Sequence, residues 1–305
     1  MKRFSLFASA LILAATFHSA HAQQRTVGVA VANLQADFFN QIKESVEKAA
    51  EGTDVRIITV DARGDSATQV SQIQDLITRK VDAIIYIPAG ATAATVPVRA
   101  ARAAGIPVVT VDRNPEGAPG DTFIATDSVH AARELGQYVC QITGGTGNLA
   151  IIQGQLGTTP EIDRDTGFKQ AMAACPGIRE VARQASNMWM QDEGFAIAQD
   201  MLQRNPAINI IFGRADALAM GAAQAAKIAG KSVLIVGFDG DRAGLEAIKS
   251  GVFQATMTQQ TQHMGRLALQ SALDLIDGKS VPAQQLQPAT LTTADNVDGF
   301  IAEHP

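Results

Sequence analysis

The chain of 305 residues is poor in the residue types that most chemistry needs. Its five histidines are His18, His21, His130, His263 and His304, and no two stand at metal-ligand spacing. It has two cysteines, Cys140 and Cys175, so neither a cysteine zinc cluster nor a disulfide-dense scaffold can be built. Aromatic residues are 5% of the chain, with a single tryptophan, Trp189. Basic residues are outnumbered, 25 Lys and Arg against 30 Asp and Glu, for a net charge of -5. A chain without a basic surplus cannot neutralise many phosphates, which argues against a nucleic-acid partner. No stretch reaches the ~20 consecutive apolar residues of a membrane-spanning helix.

What remains is apolar and regularly patterned: 46% of the residues are hydrophobic, enough for substantial cores. Residues 1–22 stand apart. Lys2 and Arg3 precede the apolar run Phe4–Phe17, and Ala20-His21-Ala22 is a small-x-small cleavage site. The pattern is that of a secretory signal peptide cleaved after Ala22, with Gln23 as the first mature residue and no cysteine there to carry a lipid. An exported, periplasmic product is expected. In an oxidising compartment Cys140 and Cys175 stand either as a disulfide or as two buried thiols.

From Val27 onward, short β-branched runs alternate with segments of helical period. Strands are expected at 27–31, 55–60, 83–87 and 106–111, and helices after Asp37, over 67–79 with Val70, Ile73 and Ile77 inward, and over 95–104. A turn-rich stretch, 114–121, follows. The rhythm then restarts with helices over 129–142, 165–174, 192–203 and 215–229, and strands over 149–152, near Val181, and over 208–212 and 233–236. The remainder, with a strand at 253–258, a helix at 264–276 and a tail at 286–297, is too short for a third domain. It is expected to complete both lobes, so that the chain crosses between them more than once. Strands alternating with helices predict βαβ units and parallel sheets, an α/β fold of two Rossmann-like lobes.

In open parallel sheets ligands bind beyond the carboxyl ends of the strands. The residues expected there are chemically selected. Asp37, Phe38 and Phe39 follow the first strand, and Asp112 and Arg113 follow the fourth. Arg164 falls near a helix start, and Trp189 precedes a helix. Arg214 and Asp216 follow the strand at 208–212, Asp239 follows the run Val233-Leu234-Ile235-Val236-Gly237-Phe238, and Gln259 ends the strand at 253–258. Carboxylates, guanidinium forks and amides make strong bonds to hydroxyl groups, and aromatic faces cover the apolar side of a sugar ring. Each has a plainer reading: Asp37 and Asp239 as helix caps, Phe38 or Phe39 as core, Asp112 and Arg113 as a surface pair, Trp189 as packing. Their concentration on one sheet edge favours a binding site. Other motifs lack context. Gly145-Thr146-Gly147 precedes a strand instead of following one, Gly230-Lys231-Ser232 and Gly278-Lys279-Ser280 lack the first glycine of a phosphate loop, and no nucleophile elbow occurs. No catalytic set and no metal site are expected.

Five segments together carry a family resemblance: Phe38-Phe39, Ile106–Arg113 (IPVVTVDR), Arg164–Phe168 (RDTGF), Asp216–Ala222 (DALAMGA) and Val236–Gly240 (VGFDG). The chain resembles the ribose-binding family of periplasmic sugar-binding proteins, the substrate-binding components of ABC importers. The resemblance implies the type I periplasmic binding protein fold, with two lobes joined by a three-stranded hinge. By it the N-terminal lobe comprises 23–126 and 260–288, and the C-terminal lobe 127–259 and 289–305. It implies a monomer without cofactor or enzymatic activity, which closes on a carbohydrate and delivers it to a permease. A sensory module reporting a sugar or furanose-like signal to a chemoreceptor or sensor kinase is the alternative. It also implies that Phe39 and Trp189 sandwich the ring with Phe38 nearby, and that Asp112, Arg113, Arg164, Asp239 and Gln259 bind hydroxyls. Departures from the ribose pattern occur at Ala36-Asp37, Ile87, Ile162 and Arg214-Ala215. Asp37 and Arg214 either bridge the closed cleft or meet groups that pentopyranoses lack. Hexose, furanose, sugar alcohol and sugar acid all remain open.

Overall fold

The computed structural model describes residues 24–304; the expected signal peptide and its cleavage site lie outside the described residues. The chain builds two parallel sheets, each sandwiched between helices. The first has six strands: β1 (Arg25–Val31), β2 (Val55–Asp61), β3 (Ala83–Tyr86), β4 (Val108–Val111), β5 (Thr122–Thr126) and β11 (Gln284–Gln287). Their spatial order is β11-β5-β4-β3-β1-β2, with every pairing parallel. The second sheet holds β6 (Gly147–Gln153), β7 (Ile178–Ala185), β8 (Ile210–Gly213) and β9 (Leu234–Val236) in the order β7-β6-β8-β9, again parallel. Both sheets therefore begin with the same winding, the second strand outside the first and the third on its other side. The crevice created where the winding reverses opens at the strands' carboxyl ends.

The helices follow from the apolar periodicity. In α1 (Asp37–Ala50) Phe38, Phe39, Ile42 and Val46 are buried on one face, against α9 (Thr261–Ile276). In α2 (Ser66–Thr78) the inward face is Gln69, Ile73 and Leu76, whereas Val70 and Ile77 are half-buried. The amide of Gln69 is buried at no cost in lost hydrogen bonds: it donates to Ile87 O and accepts from Ala89 N, tying the helix to the loop after β3. Helix α3 (Thr95–Ala103) covers the same sheet. In the second lobe α4 (Ser128–Ile142) packs on α5 (Thr159–Ala173), and α6 (Gln191–Arg204) on α7 (Asp216–Ile228). Helix α8 (Arg242–Lys249) lies beside α7 and α10 (Val297–Glu303).

Several elements differ from the sequence expectation. The tail after residue 283 carries two short strands, β11 and β12 (Thr290–Thr292), and helix α10, and two further differences bear on the site. Strand β5 was not anticipated, because Thr122–Thr126 follows eight turn-forming residues and is short; it is fully buried between β4 and β11. Helix α5 begins six residues before Asp165, where Pro160 suits the first turn because it has no N–H to satisfy. Arg164 therefore sits in the second turn of α5 and not at its start.

The chain passes between the sheets three times: from β5 to α4, from β10 (Thr256–Thr258) to α9, and from β11 to β12 (Thr290–Thr292), which pairs antiparallel with β10. Three connectors therefore join the two lobes. The sulfurs of Cys140 and Cys175 are joined, which ties the last turn of α4 to the loop after α5 with Cα atoms 6.2 Å apart. No helix among the described residues is long and apolar enough to cross a membrane.

Candidate functional site

Between the two strand-end edges lies a cavity of about 240 Å³. Its aromatic walls come from both lobes. Phe38 and Phe39 start α1, with ring centroids 5.3 Å apart and planes at 70°. Trp189, in the loop between β7 and α6, faces them from the second lobe. Between the two walls stands Arg113, its Cζ 5.2 Å from the Phe39 centroid and 6.0 Å from that of Trp189. Trp189 is held by an unusual approach: its indole crosses Gly154, at the end of β6, so closely that a Cβ there would lie 1.9–2.1 Å from three ring carbons. Only glycine leaves room for the ring.

The polar floor is built from Asp112, Arg113, Arg164 and Asp239, all buried. Arg113 Nη1 donates to the carbonyls of Pro88 and Ala89 at 2.9 and 3.0 Å, so its fork is fixed by the loop after β3. Its Nε lies 3.4 Å from Asp112 Oδ2. Arg164 reaches inward from α5, its Cζ 3.9 Å from the Phe238 centroid and its Nη2 3.1 Å from Asp239 Oδ1. Its Nη1 donates to the carbonyl of Arg214. Asp239 Oδ1 also accepts from Gln259 Nε2 at 2.7 Å, and Gln259 Oε1 accepts from Thr126 Oγ1 at 2.5 Å. The chain Thr126–Gln259–Asp239–Arg164 thus runs through two of the three hinge connectors into the cavity.

Asp112, Trp189 and Asp239 all have positive φ, at 61°, 64° and 132°. Non-glycine residues seldom hold such conformations, and where they do the surrounding structure must enforce them; binding sites are a common place. Burial pushes the Asp112 carboxyl up, against the pull of Arg113 and Arg164. Burial also raises Asp239 to about 7, with Arg164 opposing and Asp216 and Asp112 adding. Burial lowers Arg113, with Asp112 opposing.

Two further carboxylates stand at this edge: Asp216, expected there from its place after the strand at 208–212, and Asp241, which was not. Asp216, at the start of α7, is fully buried and is among the residues lining the cavity. Its Oδ2 accepts from the N–H groups of Gly240 and Asp241, both at 2.9 Å, and its Oδ1 accepts from Thr256 Oγ1 at 2.6 Å. It shapes the loop that aims Asp239, and burial raises its carboxyl to about 6 despite those donors. Asp241 immediately precedes α8 and lines the cavity. It occupies a capping position, yet its side chain makes no cap, and its Oδ1 is buried without a hydrogen-bond partner. The sequence signal was present, a second aspartate two residues after Asp239 in the same strand-end loop. Asp239 itself does not cap α8.

Arg214 requires a correction. It does not line the cavity. Its guanidinium is completely buried against Glu161 and Asp165 of α5, and it also donates to Glu161 O at 3.0 Å. Burial raises Glu161, with Arg214 opposing. At Asp165 burial acts upward too, but bonds from Lys169, Arg183 and Arg214 outweigh it and hold the carboxyl well below the usual range. Both terminal nitrogens are paired with carboxylates of the second lobe, and the side chain is not among those lining the cavity, where Asp37 lies. Asp37 lines the cavity rim, where its Oδ2 accepts from Gln41 Nε2 at 3.0 Å and lies 3.7 Å from His304 Nε2. It follows the capping residue of α1 instead of occupying that position. Gln259 is also displaced from its expected role: it touches Asp239 and does not line this cavity. Among the described residues, no group of three or more His, Cys, Asp or Glu side chains is arranged to hold a metal ion.

Two parallel α/β lobes closing over a small aromatic-walled, charged cleft define a ligand-binding clamshell. The chain belongs to the periplasmic binding protein domain family, whose profile matches residues 27–280. It is similar to the ribose import binding protein of Bacillus subtilis (strain 168), with 32% identity over 90% of each chain. It is 33% identical to the xylitol-binding protein of Mycolicibacterium smegmatis, over 94% of this chain and 82% of that one. Among solved structures, an ABC transporter solute-binding protein from Bacillus halodurans C-125 with bound myo-inositol superposes with a TM-score of 0.88 at 28% identity, covering 94% of this chain and all of the other. These relatives are binding proteins and not enzymes, and the family is periplasmic.

Proposed function

We propose that this protein captures a monosaccharide, or a closely related polyol or sugar acid, between its lobes and delivers it to an ABC permease. In this reading the leader is removed after Ala22 and the mature protein works as a monomer. The N-terminal lobe spans 23–126 and 260–288, and the C-terminal lobe 127–259 and 289–305. The observation that carries the proposal is Phe39 of one lobe and Trp189 of the other meeting over Arg113, which with Asp112, Arg164 and Asp239 makes a charged floor. Aromatic planes suit the C–H faces of a ring, and the charged floor suits its hydroxyls. Asp37, Phe38, Phe39, Asp112, Arg113, Arg164, Trp189 and Asp239 are the proposed contacts, while Gln259 holds Asp239 in place.

The cavity, at about 240 Å³, is smaller than the roughly 300–1,000 Å³ of ordinary ligand pockets, which favours a ligand of one ring over an oligosaccharide. Ligand contacts from both lobes bias the hinge toward the closed form, the state a permease would recognise. Titration calorimetry against pentoses, hexoses, cyclitols, acyclic polyols and sugar acids tests the proposal. Saturable one-to-one binding to members of one of these classes is expected; no binding across the panel would overturn it.

A further inference from the structure

The ionic pairing in the cleft is unequal. Two arginines reach the cavity, and each is matched to one aspartate, Arg113 to Asp112 and Arg164 to Asp239. One further nitrogen of each, Nη1, donates to backbone, to the carbonyls of Pro88 and Ala89 from Arg113 and to that of Arg214 from Arg164, while the Nε of both makes no hydrogen bond. Asp216 is satisfied by three neutral donors. Asp241 is left over. Its Oδ1 is buried and unpartnered, and burial, then the charges of Asp239, Asp216 and Asp37, push its carboxyl up, with Arg164 opposing them. Arg242, next in the chain, turns outward to Glu246 at 2.9 Å. His304 lies against Asp37 and Gln41. Asp37 approaches from the first lobe and Asp241 from the second, both lining the same cavity.

A neutral hydroxyl can donate one hydrogen bond to Asp241 but brings no counter-charge to a half-buried carboxylate. A protonated amine supplies both the bond and the charge. We propose that the cleft is built for a polyol or sugar ring bearing a protonated amine, an amino sugar or aminocyclitol whose ammonium rests on Asp241 with Asp37 completing the acidic rim. The inference rests on the reading of the cleft as a polyol site and narrows its substrate class. The upward shift of the Asp241 carboxyl, driven by burial and then by Asp239, Asp216 and Asp37, agrees with an acid kept for a cation that the protein itself does not supply.

Matched pairs test it. Calorimetry would compare each amino compound with its hydroxyl twin and its N-acetyl derivative, for amines at the 1-, 2-, 3- and 6-positions of hexoses and for aminodeoxy-inositols. At least one amine should bind about tenfold more tightly than its twin, as expected when a neutral hydrogen bond is replaced by a charged one, and acetylation should abolish the gain. Asp241→Asn should collapse that ratio and raise the melting temperature of the ligand-free protein, because it removes a carboxylate crowded by Asp239 and Asp216. Hydroxyl twins that bind as well as or better than every amine would overturn the inference while leaving the polyol site standing. So would an Asp241→Asn variant that keeps the preference. If no member of either series binds, both the inference and the proposed function fall.

Discussion

The guanidinium of Arg164 is clamped between the ring of Phe238, 3.9 Å below it, and the carboxylate of Asp239, 3.1 Å beside it. These groups belong to α5 and to the loop after β9, and neither is at home in an apolar site without the other. Breaking a buried pair by removing one partner leaves an uncompensated charge and costs about 3–5 kcal/mol. We expect Arg164→Ala and Asp239→Ala each to abolish measurable ligand binding while far-UV circular dichroism is retained. Normal affinity in either variant would show that the pair lies outside the binding site.

Gly154 offers a test that leaves every proposed ligand contact chemically intact. Adding one methyl in Gly154→Ala would displace the Trp189 indole. Affinity should drop about tenfold or more, in line with losing an aromatic anchor worth roughly 1.5 kcal/mol or above. Trp189 is the only tryptophan, so intrinsic fluorescence reports this wall directly. The parent protein should change its emission on ligand addition, and the variant should not.

The raised carboxyls give a defined pH dependence. Asp239, at about 7, and Asp216, at about 6, bind protons in the folded protein at pH values where unfolded carboxylates have released them. Between pH 4 and 7 the native state therefore holds more protons, so their contribution to stability falls as pH rises through that window and levels off above it. Thermal melts of ligand-free protein should show a higher midpoint at pH 5.5 than at pH 7.5, and Asp239→Asn should flatten the difference. A midpoint that rises with pH across this range, unaffected by the substitution, would contradict the burial of Asp239.

Arg214 should behave as a structural residue. Replacing it with alanine strands Glu161 as a buried unpaired carboxylate, and a loss of about 3–5 kcal/mol of stability is expected in denaturant unfolding. A variant that keeps full stability but loses only ligand binding would return Arg214 to the ligand site.

Cys140 and Cys175 close a loop with a sequence separation of 35 residues. Replacing both by serine should cost roughly 2–4 kcal/mol through the greater freedom of the unfolded chain. Ligand affinity of the folded variant should be unchanged, since both residues lie in the core around α4 and α5, away from the cavity.

The alternation of strand and helix could be read residue by residue because it depends on local features: β-branched runs, helical apolar period, and glycine or proline at the breaks. The same holds for Asp112, Arg113 and Asp239, which follow buried strands closely, and for Phe38 and Phe39, which open the helix after β1, because the chain just past a buried strand has little choice of edge. Failures of the reading were also local in origin. Strand β5 is short and follows a turn-rich segment, so nothing nearby marks it; it exists because β4 and β11 flank it on either side. Gln69 is a polar residue on an inward helix face, acceptable only because the distant loop at Ile87 and Ala89 supplies both its partners.

Among the polar residues near the strand ends, chain order cannot tell a ligand contact from a buried brace. Arg164 and Arg214 are the same residue type, both buried, and one even donates to the backbone of the other. Glu161 and Asp165 claim Arg214, while Arg164 is turned toward Asp239 and the cavity. Asp216 and Asp241 divide the same way, one bonded on both oxygens and one with an oxygen unpaired. Local sequence specifies the elements and supplies the charges because backbone preference and apolar period act over a few residues. Which charges cancel one another and which stay open to a ligand depends on contacts some 50 residues apart along the chain, and only the assembled lobes bring those together.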